Sequence, residues 1–182
     1  MRRRFVYITG HGRHGKDTVA DMMARYGGYR PCDSSKFVCQ RAVFPCMTDM
    51  YDTWEECYAD RHNHRQTWYD LISIHNDVGH ELSVELFKEH DVYTGLRSKR
   101  ELDAFKNLFP DDTFVIWVDG SDRLPPEPAT SISITQEDAD WVIDNNGTEE
   151  ELTAKVADLL MILSYDMAYR HYKEKNNERP SR

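Results

Sequence analysis

Residues 10–18 read Gly-His-Gly-Arg-His-Gly-Lys-Asp-Thr. Gly10, Gly15 and Lys16 fit the spacing G-x-x-x-x-G-K, but Asp17-Thr18 follows where a serine or threonine usually comes directly. Glycines let successive backbone N–H groups turn inward around phosphate oxygens. A helix that begins at such a turn adds the positive end of its dipole. The Lys16 ammonium would then reach the β- and γ-phosphates of a nucleoside triphosphate. The expected cofactor is ATP with Mg²⁺, and the expected cradle is Gly10, Gly12, Arg13, His14, Gly15, Lys16, Asp17 and Thr18. Asp17 is the expected metal residue, since a carboxylate is a hard oxygen ligand suited to Mg²⁺. Its other reading is a favourable negative charge in a first helical turn. Thr18 would touch the α-phosphate.

Such a loop needs a strand before it and a helix after it. Arg4–Thr9 is a β-rich apolar run, the expected strand. Val19, Met22, Met23 and Tyr26 place one apolar stripe on a helix from Gly15, stopped by Gly27-Gly28. Tyr29–Cys32 is a second short extended piece. Ser34 or Ser35 is then expected to cap a helix running to about Phe44, ahead of Pro45. Thr53 caps a helix over Trp54–Asp60, and Arg65–Asn76 is a further one. Leu82, Leu86 and Phe87 mark another. Val92–Gly95 is a short strand, and Ser98 with Glu101 reads as a capping box. Thr113–Val118 and Trp141–Asp144 are the remaining strands. Thr148 with Glu151 opens a long final helix towards Tyr172, followed by a polar, frayed end from Lys173. Strands alternating with helices predict an α/β fold, a parallel sheet of about five strands covered on both faces.

The 182 residues predict one domain over 1–182. Within it, a helical segment at about 45–90 would cover the acceptor, and a short proline-bearing loop at about 120–135 would act as a lid. No apolar run approaches the ~20 residues of a membrane span, and no signal-peptide core follows the basic start. A cytoplasmic protein with no membrane partner is expected. Cys32, Cys39, Cys46 and Cys57 fit no metal or disulfide spacing and read as free thiols. The net charge of −9 gives no global attraction for nucleic acid but does not exclude a local basic groove.

The string Gly15-Lys16-Asp17-Thr18-Val19-Ala20 resembles the opening of phage deoxynucleoside monophosphate kinases and their relatives. Thr94-Gly95-Leu96-Arg97, with Glu101 four residues on, resembles the family's strand-end G-x-R and glutamate. Asp140–Thr148 resembles the stretch D-x-x-I-x-N-x-G-T that enters the last helix. These pieces fall in the family's order and span nearly the whole chain. One branch of the superfamily phosphorylates 5-hydroxymethyldeoxyuridine within DNA, and the segment Arg65-Gln-Thr-Trp68 is similar to that branch. If the chain is phage-encoded, its place is the host cell cytoplasm.

The resemblance implies a P-loop kinase and adds Asn145 to the cofactor-binding residues. It implies catalytic roles for Lys16, Asp33, Arg97 and Arg123. Asp33 follows the second strand and could take the proton of an attacking hydroxyl, or could merely cap the next helix. Arginines stabilise charge spread over transferring oxygens, so Arg97 at a strand end and Arg123 in the loop are candidates. Arg41, Arg61, Arg65 and Trp68, with Asp33 and Arg97, would bind the acceptor. One departure stands out: no carboxylate ends the strand Val92–Gly95, leaving the second Mg²⁺ contact to Asp17, Asp33 or Asp119. The acceptor is either hydroxymethyluracil in DNA or a free deoxynucleoside monophosphate, and a regulatory NTPase is the reading from another class. Monomer and homodimer both stay open.

Overall fold

The computed structural model describes residues 3–77, 79–128 and 131–177. Five parallel strands form one sheet in the order β2-β3-β1-β4-β5. They are β1 (Phe5–Thr9), β2 (Pro31–Cys32), β3 (Val92–Thr94), β4 (Thr113–Asp119) and β5 (Trp141–Asp144). The helices are α1 (Lys16–Gly27), α2 (Ser34–Val38), α3 (Trp54–Ala59), α4 (Arg65–His75), α5 (Glu81–Glu89), α6 (Lys99–Leu108) and α7 (Glu149–Asn177).

All of β1 is buried, as a central strand covered on both faces must be. Its residues alternate between two cores. Phe5 and Tyr7 join Val115 and Trp117 of β4 in a cluster with Leu82, Leu86, Leu102 and Phe105 from α5 and α6. Val6 and Ile8 join Ile116 and Val118 in a cluster with Val19 and Met23 of α1 and Val156 and Leu159 of α7. The register is tight: Tyr7 lies between Tyr93 and Val115. With both neighbours of β1 fixed, the turn leaving Thr9 emerges at the carboxyl edge of the sheet, where open α/β sheets form ligand crevices.

Four local expectations need correction. The helix expected as far as Phe44 stops at Val38, continues as one wider π-type turn over Cys39–Val43, and closes with a 3₁₀ turn at Phe44–Cys46. Its cap is Asp33, which accepts the Lys36 N–H at 3.2 Å. The Ser34 hydroxyl donates instead to the Thr94 carbonyl at 2.6 Å, tying α2 to β3. Only half of the box at Ser98 forms: Ser98 accepts the Glu101 N–H at 3.2 Å, while the Glu101 side chain turns into the core. Two donors wait there, Ser83 at 2.6 Å and Asn76 at 2.9 Å. Finally, α7 runs to Asn177, past the expected fraying point at Lys173; the tail beyond it lies outside the described residues.

The start expected for the last helix stands. Both bonds of the Thr148–Glu151 box are made, at 2.9 and 3.2 Å. The four cysteines are free thiols, with Cys32, Cys39 and Cys57 buried. Among the described residues, no helix is long and apolar enough to cross a membrane.

Candidate active site

The loop from Gly10 to Gly15 joins β1 to α1. Gly10 and Gly15 take φ values of 132° and 97°, in the region that favours glycine. A Cβ on Gly15 would strike the Asn145 amide. Asn145 is buried behind the loop, donating from Nδ2 to the His14 carbonyl at 2.8 Å. Its own N–H donates to the Asp119 carbonyl at 2.6 Å. His14 is fully buried. Its Nδ1 accepts the Gly120 N–H at 3.0 Å, so the proton of a neutral ring sits on Nε2 and goes to the Leu124 carbonyl, 3.1 Å away. The side chains of His14 and Asn145 therefore hold the loop's shape from behind.

On the open side, Lys16 donates to the His11 carbonyl at 2.6 Å. Burial lowers its pKa, as does the nearby Arg97, while Asp17 and Glu127 push the other way. The loop and Arg97 line a cavity of about 610 Å³ together with Asp17, Asp33, Ser34, Tyr58 and Thr94. Asp21, one turn beyond Asp17 on α1, lines it too. Asp33 faces this space while paired with Lys36 at 3.0 Å. Thr18 is exposed and does not line this cavity.

A second cavity of about 660 Å³ adjoins the first, sharing Ser34, Ser35, Gly95 and Arg97 with it. Arg61, Arg65, Trp68, Tyr69, Leu82, Tyr93 and Glu101 complete much of its wall. Arg61 lies over the Tyr58 ring, 4.1 Å from its centroid. Trp68 is buried, and its Nε1 has no hydrogen-bond partner among the described residues. The Glu101 carboxyl is pushed up to about 7, chiefly by burial, against the opposing bonds from Ser83 and Asn76.

The structure thus gathers Lys16, Asp17, Asp33, Arg61, Arg65, Trp68 and Arg97 around two joined cavities. It leaves two arginines outside. Arg41 is exposed and paired with Glu89 at 2.9 Å. Arg123 is exposed beside Gly120 and lines neither cavity. Asp119 accepts from Ser121 N–H and Oγ at 3.1 and 3.2 Å, away from the first cavity.

The sequence reading misses one residue, Glu127, and places another, Glu101, on the wrong side of its helix. Glu127 accepts the Gly12 N–H at 2.6 Å and Arg97 Nη1 at 3.0 Å. Burial pushes its pKa up, but Arg97 and the Gly12 N–H outweigh this and hold it below the usual range. The available signal was a lone carboxylate among Pro125, Pro126 and Pro128. Glu101 was read as a cap, and only its place on the inward stripe of α6 with Leu102 and Phe105 could have marked it as buried.

The strand order and the glycine loop between β1 and α1 define the class: an α/β P-loop fold. No protein-family model matches the chain, and neither does any curated protein. Among solved structures, the chain is similar to a gluconokinase from Sinorhizobium meliloti 1021, at 15% identity and a TM-score of 0.44 over 90% of this chain and 98% of that one.

Proposed function

We propose that the chain is an ATP-dependent phosphotransferase that moves the γ-phosphate to a hydroxyl of 5-hydroxymethyldeoxyuridine in DNA. The observation that carries this reading is the junction of the two cavities at Arg97. The first cavity holds the phosphate loop and suits ATP. The second has an apolar wall with Trp68, large enough for a nucleobase taken out of the stack. Arg61 and Arg65 line only the second cavity, the loop's own Arg13 lines only the first, and among the described arginines Arg97 alone belongs to both. An acceptor phosphate meeting the γ-phosphate would need several cations at the junction. A neutral hydroxyl needs one, with Arg61 and Arg65 left to hold backbone phosphates farther away.

Lys16 and Arg97 would stabilise charge on the transferring oxygens. Asp33, beside Ser34 at the junction, would accept the hydroxyl proton. Among the described residues, no three His, Cys, Asp or Glu side chains converge on a metal. Mg²⁺ is commonly held by one or two carboxylates together with substrate phosphates and water, and Asp17 on the cavity wall fits that donor set. Such an ion would offset charge on the β- and γ-phosphates.

A free deoxynucleoside monophosphate is the second reading, favoured by the net charge of −9, which opposes polyanion binding. The test is transfer from γ-labelled ATP to hydroxymethyluracil DNA, thymine DNA and a panel of monophosphates. Label confined to the monophosphates would reject the DNA acceptor in favour of the second reading.

A further inference from the structure

The Glu127 carboxylate stands on the phosphate loop itself. One oxygen, Oε2, accepts both the Gly12 N–H at 2.6 Å and Arg97 Nη1 at 3.0 Å. These are an inward backbone donor and a guanidinium, the two kinds of group that take phosphate oxygens at such a loop. A carboxylate oxygen has the same sign of charge and the same demand for donors. Glu127 therefore satisfies the seat that a nucleotide phosphate would fill.

Its position is imposed from several sides. The Glu127 N–H donates to His11 Nδ1 at 3.2 Å, so its backbone as well as its side chain rests on the loop. Three residues earlier, the Leu124 carbonyl accepts from the buried His14 ring at 3.1 Å. Pro125, Pro126 and Pro128 restrict the backbone around it. On the far side, Arg97 Nη1 also reaches the Ser131 carbonyl at 3.2 Å, and the Arg97 carbonyl accepts the Ser133 N–H at 2.9 Å. Arg97 is thus held by the segment that carries Glu127, not only by β3.

We propose that Glu127 is an internal surrogate for a nucleotide phosphate. It occupies the anion seat of the loop, parks Arg97 beside it, and must leave when a triphosphate binds. Its departure frees Arg97 to face the transferring phosphate at the junction of the cavities. Glu127 is in this sense a positioning residue: it sets where Arg97 waits and makes its release depend on nucleotide. Apparent nucleotide affinity is then reduced by the fraction of molecules in which Glu127 holds the seat.

This inference rests on the reading of the loop as an ATP site, so its test carries a control for that reading. Binding of Mg²⁺ with a non-hydrolysable ATP analogue would be measured by calorimetry on the full chain and on Glu127→Ala, Glu127→Gln and Lys16→Ala. Glu127→Ala is expected to bind roughly threefold to tenfold tighter, as loss of one charged competitor implies. Glu127→Gln should fall between it and the unaltered chain. Hydrogen exchange of the 121–128 backbone in the unaltered chain should rise when the analogue binds, because the His11 and Gly12 contacts are given up. Lys16→Ala should bind more weakly. Unchanged or weaker binding in both Glu127 variants, or exchange that does not rise, would overturn the surrogate role while leaving the loop assignment intact. Undiminished binding by Lys16→Ala would overturn the loop assignment and this inference with it.

Discussion

Asn145 Nδ2 donates to the His14 carbonyl at 2.8 Å across 131 residues of sequence, so the exit of the last strand buttresses the phosphate loop. The amide also lies where a Cβ on Gly15 would fall. The loop's curvature is therefore a tertiary property, held by β5 as well as by its own glycines.

Asn145→Ala is expected to leave the His14 carbonyl buried without its donor. That costs about 1–3 kcal/mol of stability. Nucleotide affinity should fall as well, because the loop loses its backing. Denaturant unfolding and analogue binding measured side by side check this; a loss of stability with unchanged affinity would show that the loop keeps its shape without the amide.

Asp17 lines the nucleotide cavity next to Lys16, while β3 ends in Thr94-Gly95 without a carboxylate. Asp17→Ala is expected to raise the Mg²⁺ concentration for half-maximal activity roughly tenfold, equivalent to ~1.4 kcal/mol of metal affinity. Stability should change little, since Asp17 is exposed. A Mg²⁺ titration with an unchanged midpoint would reduce Asp17 to a residue of the first helical turn.

Glu101 makes stability depend on pH in a definite direction. Its folded-state pKa is raised to about 7 from a reference of 4.5, mainly by burial. Between those values the folded chain keeps a proton that the unfolded chain has lost, so stability falls as pH rises through that window and levels off above it. The loss is on the order of 3 kcal/mol. Glu101→Gln cannot ionise, so its stability should fall less than that of the unaltered chain between pH 5 and 8. Parallel profiles for the two proteins would contradict the assignment.

Arg65 begins α4 and lines the second cavity but not the first. If it holds a backbone phosphate, Arg65→Ala should weaken binding of hydroxymethyluracil DNA. The slope of log affinity against log salt should shrink by about 0.7–0.9. An unchanged slope would remove Arg65 from the DNA interface.

Much of this was legible in the sequence because it was local. The glycine spacing announced the loop, the run Arg4–Thr9 announced the central strand, and Thr148 with Glu151 announced the start of α7. What stayed hidden depended on distant partners. The sequence left both Asp33 and Ser34 open as caps, and the choice between them is tertiary: the Ser34 hydroxyl donates to a carbonyl of β3 and Asp33 takes the cap. Glu101 had the right spacing for a capping box, but Ser83 and Asn76 drew its carboxylate inward. Glu127 sits 115 residues from Gly12, and nothing in the loop 120–135 announces that it returns to the phosphate loop. Arg123, the candidate that the sequence offers in that loop, is turned by the fold towards Gly120.

The central claim is that ATP on the Lys16 loop gives its γ-phosphate to a hydroxyl held in the adjoining cavity. Its most direct test is to incubate γ-labelled ATP and Mg²⁺ with hydroxymethyluracil DNA and either the unaltered chain or Lys16→Ala, then digest the DNA and identify the labelled nucleoside. The account predicts label on the 5-hydroxymethyl oxygen with the unaltered chain and its loss with Lys16→Ala, whose fold should survive because Lys16 contributes little to either core. ATP hydrolysis with no label on any acceptor, or label undiminished by Lys16→Ala, would contradict it.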